Sequence, residues 1–193
     1  IGNPPYIGHK SIEKNYSKIL KGVYKNIYKD KSDICYCFFE KSLKASKEGG
    51  KSAFIVPRYF CEACSGKQLR KFLSDNTTIY KIVDFYGIRP FKGVGVDPII
   101  IFLKNKKGLN NKIEIIRPEQ NEKKGENKFY HSLFLNKYKV GYKKFFIPQN
   151  SIDDNGWVFI SEFEKNIIYK IRKKCNFTLN DICESYQGII TGC

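Results

Sequence analysis

Apolar positions along this chain follow two alternating rhythms, one of helices and one of strands. From Ser32 to Lys47, Ile34, Phe38, Phe39, Leu43 and Ala45 recur at the spacing of one helix face. Ser32 or Asp33 is placed to cap that helix, and Gly49-Gly50 ends it. Ser52-Ala-Phe-Ile-Val-Pro57 follows at once, too short for a helix and closed by proline, and reads as a buried strand of a parallel sheet. Glu62 to Leu73 predicts a second helix with Leu69, Phe72 and Leu73 on one face. Two further strands are expected at Ile79–Phe85 and Asp97–Leu103, the latter built on Ile99-Ile100-Ile101-Phe102. Helix, strand, helix, strand in close succession predicts a layered α/β fold.

The flanking stretches are less regular. Ile1 to Gly8 holds two prolines where a strand would end and a loop begin, and Ser11 to Tyr28 is polar and Lys-rich, as expected of a mobile, partly helical loop. After Leu103 the chain turns to Lys, Asn, Gly and Glu through about Lys128, relieved by a short strand candidate at Ile113–Ile116. This reads as a domain edge and a solvated connector. Tyr130 to Pro148 is basic and aromatic, and Ser161 to Lys174 predicts a helix with Phe163, Ile167, Ile168 and Ile171 on one face. Asn180 to Cys193 begins an element that the chain does not finish. The chain opens on Ile1 and contains no Met, so it is expected to be a piece of a longer protein.

Charge narrows the partners. Thirty-five Lys and Arg stand against 19 Asp and Glu, for a net charge of +16, which favours a polyanion such as DNA or RNA through counterion release. Seven cysteines, an odd and scattered set, suit reduced thiols and a cytoplasmic setting better than a disulfide framework. Cys61 and Cys64 form one C-x-x-C, but no second ligand pair accompanies it, so no metal is expected. No apolar run approaches the roughly 20 residues of a membrane span. None of the cysteines follows a proline, which argues against the covalent thiol mechanism of cytosine C5 methylation. His9 and His131 are isolated, and Gly93 and Gly95, lacking a following G-K-[ST], read as turn glycines rather than a phosphate loop.

Asn3-Pro4-Pro5-Tyr6 is the most informative tetrapeptide. It resembles the catalytic motif of the amino-group DNA methyltransferases. Asp33 to Lys47, Gly49-Gly50 and Phe54-Ile-Val-Pro57-Arg58-Tyr59-Phe60 then follow in the order that family uses, and Ile82-Val-Asp-Phe85 and Arg89 to Phe102 resemble the final strands of the gamma-type adenine-specific enzymes found in restriction-modification systems. The resemblance implies part of a Rossmann-like sheet with flanking helices, S-adenosylmethionine as methyl donor, and N6 of an adenine flipped out of double-stranded DNA as acceptor. Asn3 and the Pro4 carbonyl would accept the hydrogens of the amine, with the prolines, Pro5 included, stiffening the loop. Tyr6 and Phe91 would grip the base, and Phe38 matches an aromatic of the cofactor's adenosine pocket.

The same resemblance divides the chain into the C-terminal part of a catalytic domain at 1–106, a connector or extension at 107–153, and the start of a target-recognition domain at 154–193. Trp157-Val-Phe-Ile160 and Gln187-Gly-Ile-Ile-Thr-Gly192 are similar to the opening of such a domain. The family's glycine-rich cofactor motif lies upstream of N-P-P-Y, and no equivalent occurs here. This chain alone is therefore expected neither to bind S-adenosylmethionine well nor to methylate DNA. Its parent would act in the cytoplasm, at the bacterial nucleoid, beside a separate restriction endonuclease or fused to one. The alternative from another class is a non-catalytic basic nucleic-acid-binding module in which N-P-P-Y is a turn.

Overall fold

The computed structural model describes residues 1–29, 31–91, 93, 95–119, 133, 142–184, 186 and 188. His131, Cys193, most of the Tyr130–Tyr142 stretch and most of the Gln187–Gly192 run lie outside these residues. Five strands form one sheet: β1 (Lys51–Pro57), β2 (Thr78–Asp84), β3 (Pro98–Lys104), β4 (Lys112–Pro118) and β5 (Tyr142–Pro148), in the order β1-β3-β2-β4-β5.

β3 returns between β1 and β2 and runs antiparallel to both, pairing Val56 and Asp84 alike with Ile99. β1 is therefore not a strand of a parallel sheet over its paired length. Its parallel contact is the short bridge from Gly2 to Phe54. An apolar run reports burial on both faces and carries no record of strand direction. β2 and β4 are parallel, and β5 closes the row antiparallel to β4. The stretch read as a connector thus adds two strands beyond residue 106. β4 is the strand candidate at Ile113–Ile116, bound to the sheet by the burial of Ile113 and Ile115, whereas β5, with its basic and aromatic residues, was not expected as a strand.

Alternation along the strands sorts side chains to two faces. Ile99, Ile101 and Leu103 join the main core, while Ile100 and Phe102 pack with Val83, Phe85, Ile88 and Ile116. In β2 the register shifts between Ile79 and Lys81, so Ile79 and Ile82, three residues apart, reach the same core. The main core also takes Tyr36 and Phe39 from α2 (Cys35–Ala45) and Leu69 and Leu73 from α3 (Lys67–Asn76). α3 starts later than the sequence pattern suggests. Two short 3-10 turns precede it, and Gly66 passes so close to the Phe60 carbonyl that a Cβ there would stand 2.2 Å from its oxygen. The Arg70 guanidinium, buried, then donates to the Phe60, Ala63 and Asp154 carbonyls.

The Lys-rich stretch after the motif forms α1 (Lys14–Val23), anchored by Leu20 against Tyr28 and Cys37. The chain divides into two compact units, Ile1–Phe159 and Ile160–Cys193. Trp157 lies near the end of the first, with its ring edge-on to Phe60 at 5.6 Å and its backbone N–H donating to the Cys61 carbonyl at 2.8 Å. The second unit contains α4 (Glu162–Lys174) and α5 (Leu179–Ile182). Ser161 and Glu164 form a reciprocal capping box on α4. Its apolar face, Phe163, Ile167, Ile168 and Ile171, is exposed among the described residues.

Candidate active site

The site begins where the first residues meet β1. The Gly2 N–H donates to the Ala53 carbonyl at 2.9 Å, and the Ile55 N–H donates to the Gly2 carbonyl at 3.1 Å. A Cβ on Gly2 would sit 2.8 Å from the Phe54 ring, so a glycine is what allows this approach. Running parallel to β1, the chain delivers Asn3-Pro4-Pro5-Tyr6 to the edge of the sheet at which β1 and β2 end. Asn3 and Pro5 are exposed and Pro4 is buried.

Tyr6 is half-buried against the main core, and its hydroxyl faces two acceptors: Asn3 Oδ1 at 2.7 Å and the Ile55 carbonyl at 2.9 Å. Burial, followed by the nearby Cys35 and Asp33, pushes its pKa up to about 12, so the phenol stays protonated and remains a donor. Asp33 Oδ1 accepts from the Ile7 N–H at 3.2 Å and the Cys35 N–H at 2.8 Å, while Oδ2 accepts from the Tyr59 hydroxyl. One buried carboxylate thus joins the segment after the motif, the start of α2 and the turn after β1. Asp33 accepts from Cys35, the first residue of α2, although the N-cap is Ile34 and makes no side-chain cap bond; the reach of Asp33 to Ile7 and Tyr59 is not visible in local sequence.

At the same edge the chain leaves β2 after Asp84 and enters β3 at Pro98, with residues 85–91 and 95–97 between them. Arg58 fastens this loop to β1: its N–H donates to the Asp97 carbonyl at 2.8 Å, and its Nε pairs with the buried Asp84 carboxylate at 3.2 Å. Arg89 and Asp97 pair at 3.2 Å across the loop. Phe91 lies within it, 42% exposed and outside every hydrophobic cluster among the described residues. Gly93, at φ +75°, has the turn conformation read from sequence. Asn3 and Tyr6 are in direct contact, and Phe91 is carried on a loop leaving the same sheet edge, because Pro57 pairs with Pro98 and Asp84 with Ile99. Phe38 sits on α2 with 37% of its surface exposed, while its neighbours Cys37 and Phe39 are buried. Sequence reasoning missed Tyr59 and Tyr86, both exposed on this edge, and Arg117 behind Tyr86. Aromatic type alone gave no signal of their position.

The edge presents an exposed amide at Asn3 and exposed aromatic rings. Cys61 is buried and Cys64 exposed, and no group of three His, Cys, Asp or Glu among the described residues is placed to hold a metal ion.

Residues 1–91 match the model of the Eco57I restriction-modification methylase family. The chain is a homologue of restriction-modification methyltransferases. The restriction enzyme and methyltransferase RM.Eco57I of Escherichia coli is 35% identical over 114 residues, which cover 58% of this chain and 11% of that protein. The methyltransferase M.HincII of Haemophilus influenzae is 35% identical over 113 residues, 58% of this chain and 22% of its own length. M.BstVI of Geobacillus stearothermophilus aligns with 100% of this chain at 26% identity, over 35% of its length. The chain therefore spans between about a tenth and a third of these relatives. Its fold is that of the type IIG restriction endonuclease BpuSI (TM-score 0.56, 17% identity, 88% of this chain and 21% of that one). A modification subunit of a putative type I restriction enzyme from Vibrio vulnificus has the same fold (TM-score 0.54, 17% identity, 83% of this chain and 34% of that one).

Proposed function

We propose that this chain carries the catalytic edge of a DNA methyltransferase that modifies N6 of an adenine flipped out of double-stranded DNA. The observation that carries the reading is the exposed Asn3 amide, its oxygen held by the Tyr6 hydroxyl at 2.7 Å on a proline-stiffened turn. An exocyclic amine shares its lone pair with the ring and is a poor nucleophile. Two acceptors for its hydrogens, Asn3 Oδ1 and the Pro4 carbonyl, return density to nitrogen with no larger rearrangement than a turn of the Tyr6 hydroxyl. The single Tyr6 hydrogen has a second acceptor in Ile55, so it can leave Asn3 Oδ1 to the amine and keep a partner. The exposure of Phe91 suits a ring that stacks on the base and does not suit a loop anchor.

S-Adenosylmethionine, when bound, supplies an electrophilic methyl on a sulfonium. In this chain, the exposed Phe38 ring fits one contact to its adenosine part, and the reading assigns the rest of that pocket to residues outside this chain. The division into catalytic part, extension and recognition region belongs to the same proposal. The burial of Trp157 and Phe159 in the first unit favours moving the last boundary to after Phe159. Action on DNA places the protein in the cytoplasm. RM.Eco57I and BpuSI, both restriction enzymes by name, support a second reading in which the parent also cuts DNA.

Asn3→Ala in the longer protein tests the chemistry. Methylation of adenine, followed by tritium transfer, should fall at least about a hundredfold while duplex binding is retained, as for removal of one preorganised polar group in other enzymes. Methylation unchanged by the substitution would overturn the role of Asn3, and duplex binding with no methylation even in the unsubstituted protein would leave the basic binding module as the better reading.

A further inference from the structure

One aromatic on the same edge is held in a way that the motif chemistry does not explain. Tyr86 follows β2 and takes a left-handed backbone, φ +48°, that is uncommon for a residue with a side chain. Two buried groups hold it there. Asp84 Oδ1 accepts its N–H at 3.0 Å, and the Arg117 guanidinium lies 5.3 Å from the centre of its ring. Arg117 stands equally 5.3 Å from the Phe145 ring and donates to the Phe159 carbonyl at 3.0 Å. The result is a three-layer stack, Phe145, Arg117 and Tyr86, whose last ring is 48% exposed.

Because β2 and β4 are parallel with Val83 opposite Ile116, this stack ends at the same sheet edge as Asn3 and the Phe91 loop. We propose that Tyr86 is a stacking platform for a second nucleobase, one neighbouring the target adenine on the DNA, distinct from the Tyr6 and Phe91 grip. The inference rests on the methyltransferase reading above. A strained backbone with a buried cation behind the ring fixes the ring before any ligand arrives, and the exposed ring offers a π-face that any base can cover. The ligand class is an unstacked base in a single-stranded or opened segment, read by its face and not by its edges.

Fluorescence anisotropy on the 193-residue chain tests this with two dye-labelled probes, a ten-nucleotide dA strand and a ten-unit abasic backbone. The unmodified chain should prefer the dA strand by about tenfold, the scale of one aromatic stacking contact. Tyr86→Phe should bind within about twofold of it. Tyr86→Gly, for which φ +48° is unstrained, should lose about tenfold on the dA strand, lose nothing on the abasic probe, and keep its thermal midpoint. Unchanged dA binding by Tyr86→Gly overturns the platform. So does intact binding with a lowered midpoint, which would make Tyr86 a strut between β2 and β4. The outcomes separate from the parent reading. Methylation lost in Asn3→Ala with dA binding unchanged in Tyr86→Gly leaves the methyltransferase and removes the platform, whereas dA binding lost in Tyr86→Gly with no methylation by the unsubstituted longer protein keeps a base-binding edge without the chemistry.

Discussion

The two ends of the sheet differ in kind. At the end away from the motif, Lys71, Asp75, Lys107, Asn111 and Gln149 line a cavity of about 430 Å³. Its Gln149 and Asn111 amides are already paired: Gln149 Oε1 accepts from the Ile79 N–H and Asn111 Nδ2, both at 2.9 Å, and its Nε2 donates to the Thr77 carbonyl at 2.8 Å. At the motif end, Tyr59, Tyr86 and Phe91 are exposed, the carboxylates of Asp33 and Asp84 are buried beneath them, and Asn3 stands open. One end spends its polar side chains on closing the fold. The other uses buried acids to hold exposed rings in place.

If that contrast is real, similar structural damage at the two ends should have dissimilar consequences. Asp33→Ala orphans three donors, two of them backbone N–H groups, and should cost about 4 kcal/mol of stability in urea unfolding. In the longer protein it should also cut methylation well beyond the loss of folded material, because Ile7 lies four residues from Asn3. Asp33→Asn, which keeps one acceptor for the backbone, should restore most of both. Gln149→Ala leaves the Ile79 N–H and Thr77 carbonyl without their side-chain partner and should cost about 3 kcal/mol, yet leave the specific activity of the folded fraction and dA-strand affinity unchanged. A Gln149→Ala variant that folds well but loses activity would erase the distinction between the two ends.

What could be read from sequence follows the range of the interactions involved. α2, β3 and α4 were legible, because periodicity acts within a few residues. N-P-P-Y was legible as a resemblance, and the structure shows its turn delivered to the sheet edge by the Gly2 bridge. The antiparallel pairing of β1 was not, since strand direction is decided by β3, more than 40 residues later. The same holds for β5, which pairs with β4 across a basic stretch that reads as connector. Arg70 capturing the Asp154 carbonyl and Asp33 reaching Ile7 are contacts between distant segments, and local pattern carries no trace of them.

The smallest expected effect is the most local test of the motif end. Tyr6→Phe removes a hydroxyl that serves Asn3 and Ile55 and should cost about 1 kcal/mol at neutral pH. Its pH signature is more telling. The folded phenol titrates at about 12, above its ordinary value near 10, so the stability it contributes is complete below pH 10 and drains away between pH 10 and 12. Tyr28, Tyr36 and Tyr59 are raised as well, chiefly by burial, so the unmodified chain and the variant should both weaken across that window. The difference between them isolates Tyr6: thermal midpoints measured in steps from pH 9 to 12 should converge as the hydroxyl of the unmodified chain ionises. Parallel curves would mean that the phenol carries no bond to Asn3 in solution, and the motif end would then lack the preformed amide that distinguishes it from the other end.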